Sequence, residues 1–427
     1  MPTLIKLIKR TYRMVEPHES RMVMNNVAFL SGLQAVTYLL PLILIPYLFR
    51  TVGPAKFGLI AFAQAFVQYF MILTDYGFSV SATKEISLCH DNKEEINKVF
   101  ASVMTIKTIL LLVSFLILAL VVYFVPKFRE DWMIYAISFG AVVGNTLFPV
   151  WFFQGTEKMK YIARLNIIGE FVFAFGIFLF VRGPQDYLMA PLVNSAVFLL
   201  TGILGQIVLF SKFGISFRLP DLTDLRHQLK AGWNIFISVV AINAYTTTRV
   251  FAVGLLTNNT TTGFYSIAER IANAVQTFPL SSFSQALFPR LSKIFHKNKA
   301  KAVKIAQQVQ SITIIISAVC LPVFFFLSPF IVRVVCGGEY PAVVLSLRLL
   351  LVSVFFVASN AFRAQFLLVC GRTDIYSRIH ITMALIGLPL IIMLISAFSY
   401  VGAAAATVAI EGGICLVTYF IIRKLKV

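Results

Sequence analysis

Two arginines set inside apolar stretches carry the clearest chemistry in this 427-residue chain. Arg249 lies seven residues before the end of the run 233–256, and Arg270 lies seven residues after the start of the run 263–288. At about 1.5 Å per residue, both sit roughly 10 Å below one membrane surface, at matching depth on an antiparallel hairpin. An ionised side chain in that setting costs roughly 2.5–3.5 kcal/mol on insertion scales, so it faces an interior cavity or a partner. Glu269, beside Arg270, is such a partner for one arginine and leaves the other cation unpaired at this level. A free guanidinium fork there suits an anionic ligand such as a diphosphate.

Other ionisable residues fall inside apolar runs as well. Arg348 and Arg363 are fifteen positions apart, which at about 100° per residue puts them within about 60° of each other on one broad helix face. Arg363 is also near enough to the end of its run to reach the surface, and Lys107 shares that alternative. Glu170 and Glu411 are mid-run carboxylates, too deep to snorkel, and Asp75 lies at the end of its run. For Asp75, Glu170 and Glu411, ion or proton coupling and a static ion pair are both open.

The elements that position these groups follow from composition. Hydrophobic residues make up 59% of the chain and mean hydropathy is +0.84. A bilayer crossing needs roughly 20 mostly apolar residues and tolerates only helices or closed barrels. The runs are continuous and lack a period of two, so helices are expected. The length criterion gives about twelve spans, near 24–49, 57–83, 99–125, 132–153, 161–181, 187–211, 233–256, 263–288, 305–332, 343–369, 376–398 and 400–422. The fold class is therefore all-α and polytopic. Pro41 and Pro46 in the first span suggest a bending helix, and Pro149, Pro191, Pro279, Pro322 and Pro389 are further kink positions.

The net charge of +19 is topological. With both termini on one side, the segments on that side carry 26 Lys and Arg, the opposite side carries 6, and five lie within spans. The bias places both termini in the cytoplasm and excludes nucleic-acid binding. Residues 1–23 read as a basic amphipathic helix on the inner leaflet, with no signal-peptide core. The five cysteines show neither pairing nor metal spacing, and the five histidines do not cluster. No loop has room for a soluble catalytic domain, and no phosphate-binding G-x-x-x-x-G-K-[ST] sequence occurs. Neither an enzyme nor a cofactor is expected.

The longest polar connection between spans, within 212–232, divides the chain into 24–211 and 233–427, with six spans each. A faint repeat supports the division: Gly58-Leu59-Ile60-Ala61-Phe62-Ala63-Gln64 aligns with Gly263-Phe264-Tyr265-Ser266-Ile267-Ala268-Glu269. An even number of spans per half gives both halves the same orientation, with a site at their interface.

Three segments carry a family resemblance. Pro46-Tyr47-Leu48-Phe49-Arg50-Thr51-Val52-Gly53 with Phe57-Gly58, then Asp75-Tyr76-Gly77-Phe78-Ser79-Val80-Ser81-Ala82-Thr83-Lys84-Glu85-Ile86, and above all Pro149-Val150-Trp151-Phe152-Phe153-Gln154-Gly155-Thr156-Glu157-Lys158-Met159 resemble the polysaccharide transporter family. They look like the O-antigen repeat-unit flippases of the multidrug/oligosaccharidyl-lipid/polysaccharide exporter superfamily. The resemblance implies two six-helix lobes in a V with alternating access, and movement of an undecaprenyl-diphosphate-linked oligosaccharide from the cytoplasmic to the periplasmic leaflet of a bacterial inner membrane. It implies a cavity lined by the first, second, seventh and eighth spans, which puts Arg50, Asp75, Arg249 and Arg270 on or near it. Arg348 and Arg363, with Arg249, Arg270 and Lys107, describe a wall that holds an anionic substrate; that role, like the coupling role of Glu411, rests on the physical argument alone. Expected partners are the lipid-linked oligosaccharide, membrane lipids and other proteins of polysaccharide assembly. A multidrug exporter of the same superfamily is the nearest rival, but it calls for an apolar or acidic pocket. A glycan polymerase or ligase calls for a large outer loop.

Overall fold

The computed structural model of the protein describes residues 17–89, 92–216, 219–276, 299–370 and 372–424. Residues 1–16 of the expected amphipathic N-terminus, Pro279 and most of the basic segment 289–304 lie outside the described residues. Every described element is a helix.

Helix Pro17–Asp75 contains the first two spans and breaks at Gly53, whose φ of 77° is the left-handed region open to glycine. Phe78–Leu88 extends the second span past Tyr76 and Gly77. The third span is Lys93–Phe124, started by Asn92, whose side chain accepts from the backbone N–H groups of Glu94 and Glu95. Trp132–Leu147 is the fourth span, and Pro149 separates it from the short Val150–Gly155. Met159–Phe180 and Met189–Phe213 are the fifth and sixth. The seventh is a broken span, Leu222–Thr246 and Thr248–Leu256, bent by 49°. Residues 259–276 belong to the eighth, Lys299–Cys336 to the ninth and Pro341–Val369 to the tenth. Thr373–Lys424 holds the eleventh and twelfth, parted at Ser399 with φ 55°.

Eight described helices are long and apolar enough to cross a bilayer, or nine when the bent pair counts as one span. Two of them, Ile43–Leu88 with 46 residues and Asp374–Lys424 with 51, are too long for one crossing. Parting them at Gly53 and Ser399 and adding 259–276 gives twelve. The connection 212–232 is shorter than the sequence suggests, because helix begins at Leu222. Its inner turns pack on the second span: the Gln228 amide donates to Glu85 Oε2 at 2.8 Å, and Gly232 lies against Tyr76. Pro41 and Pro46 leave their helix regular, and the break falls at Gly53 instead.

The end carrying 212–221 and Arg423 is called here the basic end, and the opposite one the far end. At the far end the two halves meet backbone to backbone. A Cβ on Gly58 would lie 1.8 Å from the carbonyl oxygen of Asn259, and one on Gly263 would lie 2.1 Å from that of Pro54. Gly58 and Gly263 are 205 residues apart, as are Pro54 and Asn259, so the two contacts are related by a local two-fold symmetry. The aligned repeat is thus visible as geometry at the crossing of the second and eighth spans. Phe251 stacks on Phe62 and Phe66 beneath this crossing.

Two cations tighten the same seal. Lys127 donates to the carbonyls of Gly254, Leu255 and Thr257, where the seventh span ends. Arg50 donates to the carbonyls of Val334 and Val335 at the end of the ninth. Helix C-termini leave carbonyls without intrahelical partners and carry partial negative charge, so both contacts suit a cation.

Candidate functional site

Below the seal lies a central cavity of 530 Å3. The second span lines it with Gln64 and Gln68, the seventh with Thr246, Thr247 and Arg249, and the eighth with Glu269, Arg270, Asn273 and Gln276. The tenth span adds Ser353, and the twelfth adds Thr407 and Glu411. The 49° bend at Thr247, where the backbone keeps helical dihedral angles, falls on the cavity wall. There Arg249 Nε donates to the Thr246 carbonyl at 3.1 Å. The same nitrogen is 3.5 Å from Glu269 Oε1, with the two side chains only 12% and 14% exposed. Tyr265, fully buried, donates to the same carboxylate oxygen at 3.4 Å. Glu411, on the same wall, is in electrostatic reach of Arg249.

Arg270 is bonded differently. Its Nη2 donates to Gln64 Oε1 at 2.7 Å, and its guanidinium lies 5.6 Å from the Phe57 ring centre. Among the described residues no carboxylate comes within ion-pairing distance of it. The sequence left one cation of this pair without a partner, and the geometry identifies it as Arg270.

A second cavity of 400 Å3 lies on the other side of that hydrogen bond. It is lined by Leu44 and Leu48 of the first span, by Asn166 and Glu170 of the fifth, and by Asn194 and Thr201 of the sixth. Gln64 and Arg270 line both chambers. The bond between these two side chains therefore stands as a partition, and breaking it would merge the chambers.

The remaining predicted residues are dispersed: Arg50, Arg348, Arg363 and Lys107 line neither central chamber, so the cations do not form one wall. Arg50 is exposed at the far end, holding the ninth span. Arg348 faces the ninth span, where Pro329 has no N–H for the carbonyl of Phe325. Ser328 Oγ donates to that oxygen at 2.7 Å and Arg348 Nε at 3.4 Å, with Arg348 over the Phe325 ring at 5.1 Å. Arg363 lines a third cavity, apart from the other two. Asp75 accepts from Ser79 Oγ at 3.0 Å and faces the charge of Lys107. Lys107 is 2% exposed, so it does not reach the surface. Glu411 shares the central cavity with the arginines, so that cavity is mixed in charge.

The amides Gln64, Gln68, Asn273 and Gln276 were not singled out from sequence. Their signal was present: 64 and 68 are one helical turn apart, as are 269, 273 and 276, polar positions recurring on one face of an apolar span.

A family described as polysaccharide biosynthesis protein matches residues 23–295. The chain belongs to this family. It is 30% identical over 395 residues to an Escherichia coli (strain K12) protein described as "Putative O-antigen transporter", an alignment covering 92% of this chain and 94% of the relative. Its fold is similar to that of a multidrug resistance MATE family transporter of the MOP superfamily in an inward-facing conformation. That match has a TM-score of 0.74 at 14% identity and covers 92% of this chain and 94% of the other. The lipid II flippase MurJ in an inward closed conformation matches with a TM-score of 0.71 at 14% identity, over 92% and 87% of the two chains. At such identities the likeness concerns the fold.

Proposed function

We propose that this family member is a flippase. It moves undecaprenyl-diphosphate-linked O-antigen, or a similar surface-polysaccharide repeat unit, from the cytoplasmic to the periplasmic leaflet of a bacterial inner membrane. The observation that carries the reading is Arg270. It is a largely buried guanidinium at the junction of two chambers, held by a neutral amide, and the one carboxylate in electrostatic reach of it among the described residues, Glu269, is paired with Arg249. Two cations that share one carboxylate in a largely buried site are costly, and an anionic ligand that supplies the second counter-charge offsets that cost.

On this reading the diphosphate or an acidic sugar meets Arg270, the amides Gln64, Gln68, Asn273 and Gln276 bond sugar hydroxyls, and the lipid tail stays in the bilayer. Arg249 is held by Glu269 and shapes the site. The halves 24–211 and 233–427, joined through 212–232, act as two lobes whose far-end seal opens while the basic end closes. Both termini lie in the cytoplasm, and the chain transports its substrate without chemical change. The family and the relative described as an O-antigen transporter support this reading. Deleting the gene should make lipid-linked repeat units accumulate on the cytoplasmic side. A plasmid copy should reverse the accumulation, and the same copy with Arg270→Ala should not, at equal protein level.

A further inference from the structure

We infer that the C-terminal half carries a separate binding site for an anionic glycerophospholipid, with the phosphate held by Arg363 and one acyl chain laid between the ninth and tenth spans. The site lies outside the transport cavities and does not depend on the transport reading. Its polar part is a cavity of 460 Å3 at the basic end, lined by Gln307 and Gln310 of the ninth span, Arg363 of the tenth, and Tyr419 and Arg423 of the twelfth. Among the described residues it shares no lining residue with either central chamber.

The bonding of Arg363 is what calls for a ligand. Arg249 is answered by a carboxylate and Arg348 by a hydroxyl and a carbonyl. Arg363 lies over the Tyr419 ring at 5.1 Å, and its hydrogen-bond partner is a sulfur, Cys415 Sγ at 3.5 Å. Among the described residues no carboxylate approaches it, and none lines the cavity. Arg423 stands one turn beyond Tyr419 in the last turn of its helix, so two cations occur at successive levels. A phosphate one turn below the surface answers both, and a guanidinium fork suits its oxygens.

The apolar part is aligned with the polar one. Farther along the same two helices is a cavity of 350 Å3 lined by Ala318, Leu321, Phe325 and Phe326 of the ninth span and by Val352 and Phe355 of the tenth. On the ninth span, positions 307, 311, 314, 318, 321 and 325 alternate by three and four, so both cavities lie along one helix face. That face is polar at the basic end and apolar beyond it. The cavities nearly adjoin on the ninth span, at Ile314 and Ser317, and their centres are roughly ten residues or about 15 Å apart, which is half of a 30 Å hydrocarbon core. The neighbouring Ile315, Val319 and Phe326 are exposed, so this side of the bundle meets lipid. A phosphate cavity continued by an apolar groove as deep as one leaflet has the shape of a single lipid.

The test is native mass spectrometry of the full-length protein, delipidated and then incubated with phosphatidylglycerol, phosphatidylcholine or undecaprenyl phosphate. Wild type should retain one more phosphatidylglycerol than Arg363→Gln, with affinity for that lipid falling roughly tenfold or more, the scale of one lost charge-assisted contact. Arg363→Lys should lose less. Ala318→Trp, an exposed substitution that fills the groove, should also remove the retained lipid while leaving the fold intact. Arg164→Gln, at an exposed arginine outside the cavity, should change nothing. Equal retention by wild type, Arg363→Gln and Ala318→Trp overturns the proposal. Preference for phosphatidylcholine also overturns it, and displacement by undecaprenyl phosphate at lower concentration would give the site to the substrate's carrier instead.

Discussion

Gly58→Ala should hold the far end of this protein open. The new Cβ would start 1.8 Å from the Asn259 carbonyl oxygen, whereas Cβ contacts below 3.0 Å are essentially not found. The second and eighth spans must therefore separate by at least 1.2 Å at their crossing, the difference between those two distances. The obstacle is backbone on both sides, so no rotamer relieves it, and the cost falls at the upper end of overpacking, about 3 kcal/mol. That corresponds to roughly a 150-fold shift in the ratio of sealed to unsealed states. Gly263→Ala meets the Pro54 carbonyl in the symmetric position and should act alike, while the double variant should cost less than the sum because both act at one crossing. The assay uses Ala61→Cys, which lines the central cavity less than one turn beyond Gly58, in a chain whose five native cysteines are replaced. An impermeant maleimide applied from the far side should label this cysteine slowly in the parent and at least tenfold faster in either alanine variant, with glycan export reduced. Gly412→Ala is the control, because its Cβ meets Phe356 at an ordinary 3.6 Å. Unchanged labelling and unchanged export in both Gly58→Ala and Gly263→Ala would refute the seal.

Arg249→Gln and Glu269→Gln should each lower stability by about 3–5 kcal/mol, since either takes the ion-pair partner from a buried charge, and the double variant should recover most of that loss. Melting of the purified protein in detergent would show this, and simple additivity of the two losses would count against the pair. Arg348→Met should cost about 1–3 kcal/mol by leaving the Phe325 carbonyl with Ser328 alone, and Arg348→Lys should cost less; a Met variant melting at the parent temperature would remove that role. Glu170→Gln and Glu411→Gln should differ, the second impairing export more because Glu411 shares the cavity with Arg249, and full export by the double variant would exclude proton coupling through these carboxylates.

Much of the fold was legible because apolar length is a local signal. The expected boundary between 398 and 400 falls on the Ser399 break, and the gap after 256 falls on the turn at Thr257 and Asn258. The aligned glycines proved to be the crossing point of the halves. What the sequence could not convey was which side of a span faces which neighbour. Arg348 and Arg363 share a face only on an ideal isolated helix, whereas Pro329 on the neighbouring span claims the first and Tyr419 the second. Arg50 satisfies helix-end carbonyls 284 and 285 residues away, a need that no local pattern signals. For Glu411 the sequence leaves proton coupling and an ion pair both open, because its proximity to Arg249 exists only in the folded chain. The partition between chambers likewise needs Gln64 and Arg270, from different halves, to meet.

The central claim is that Arg270 binds the anionic part of a lipid-linked oligosaccharide as it crosses. The most direct measurement is transbilayer movement in vesicles holding the purified protein and a fluorescent undecaprenyl-diphosphate-linked oligosaccharide, with an impermeant quencher reporting the outer leaflet. The account predicts movement with wild type, slower movement with Arg270→Lys, which keeps the charge but loses the fork, and the protein-free rate with Arg270→Ala. Movement by Arg270→Ala at the wild-type rate, or a wild-type rate equal to that of empty vesicles, would contradict it.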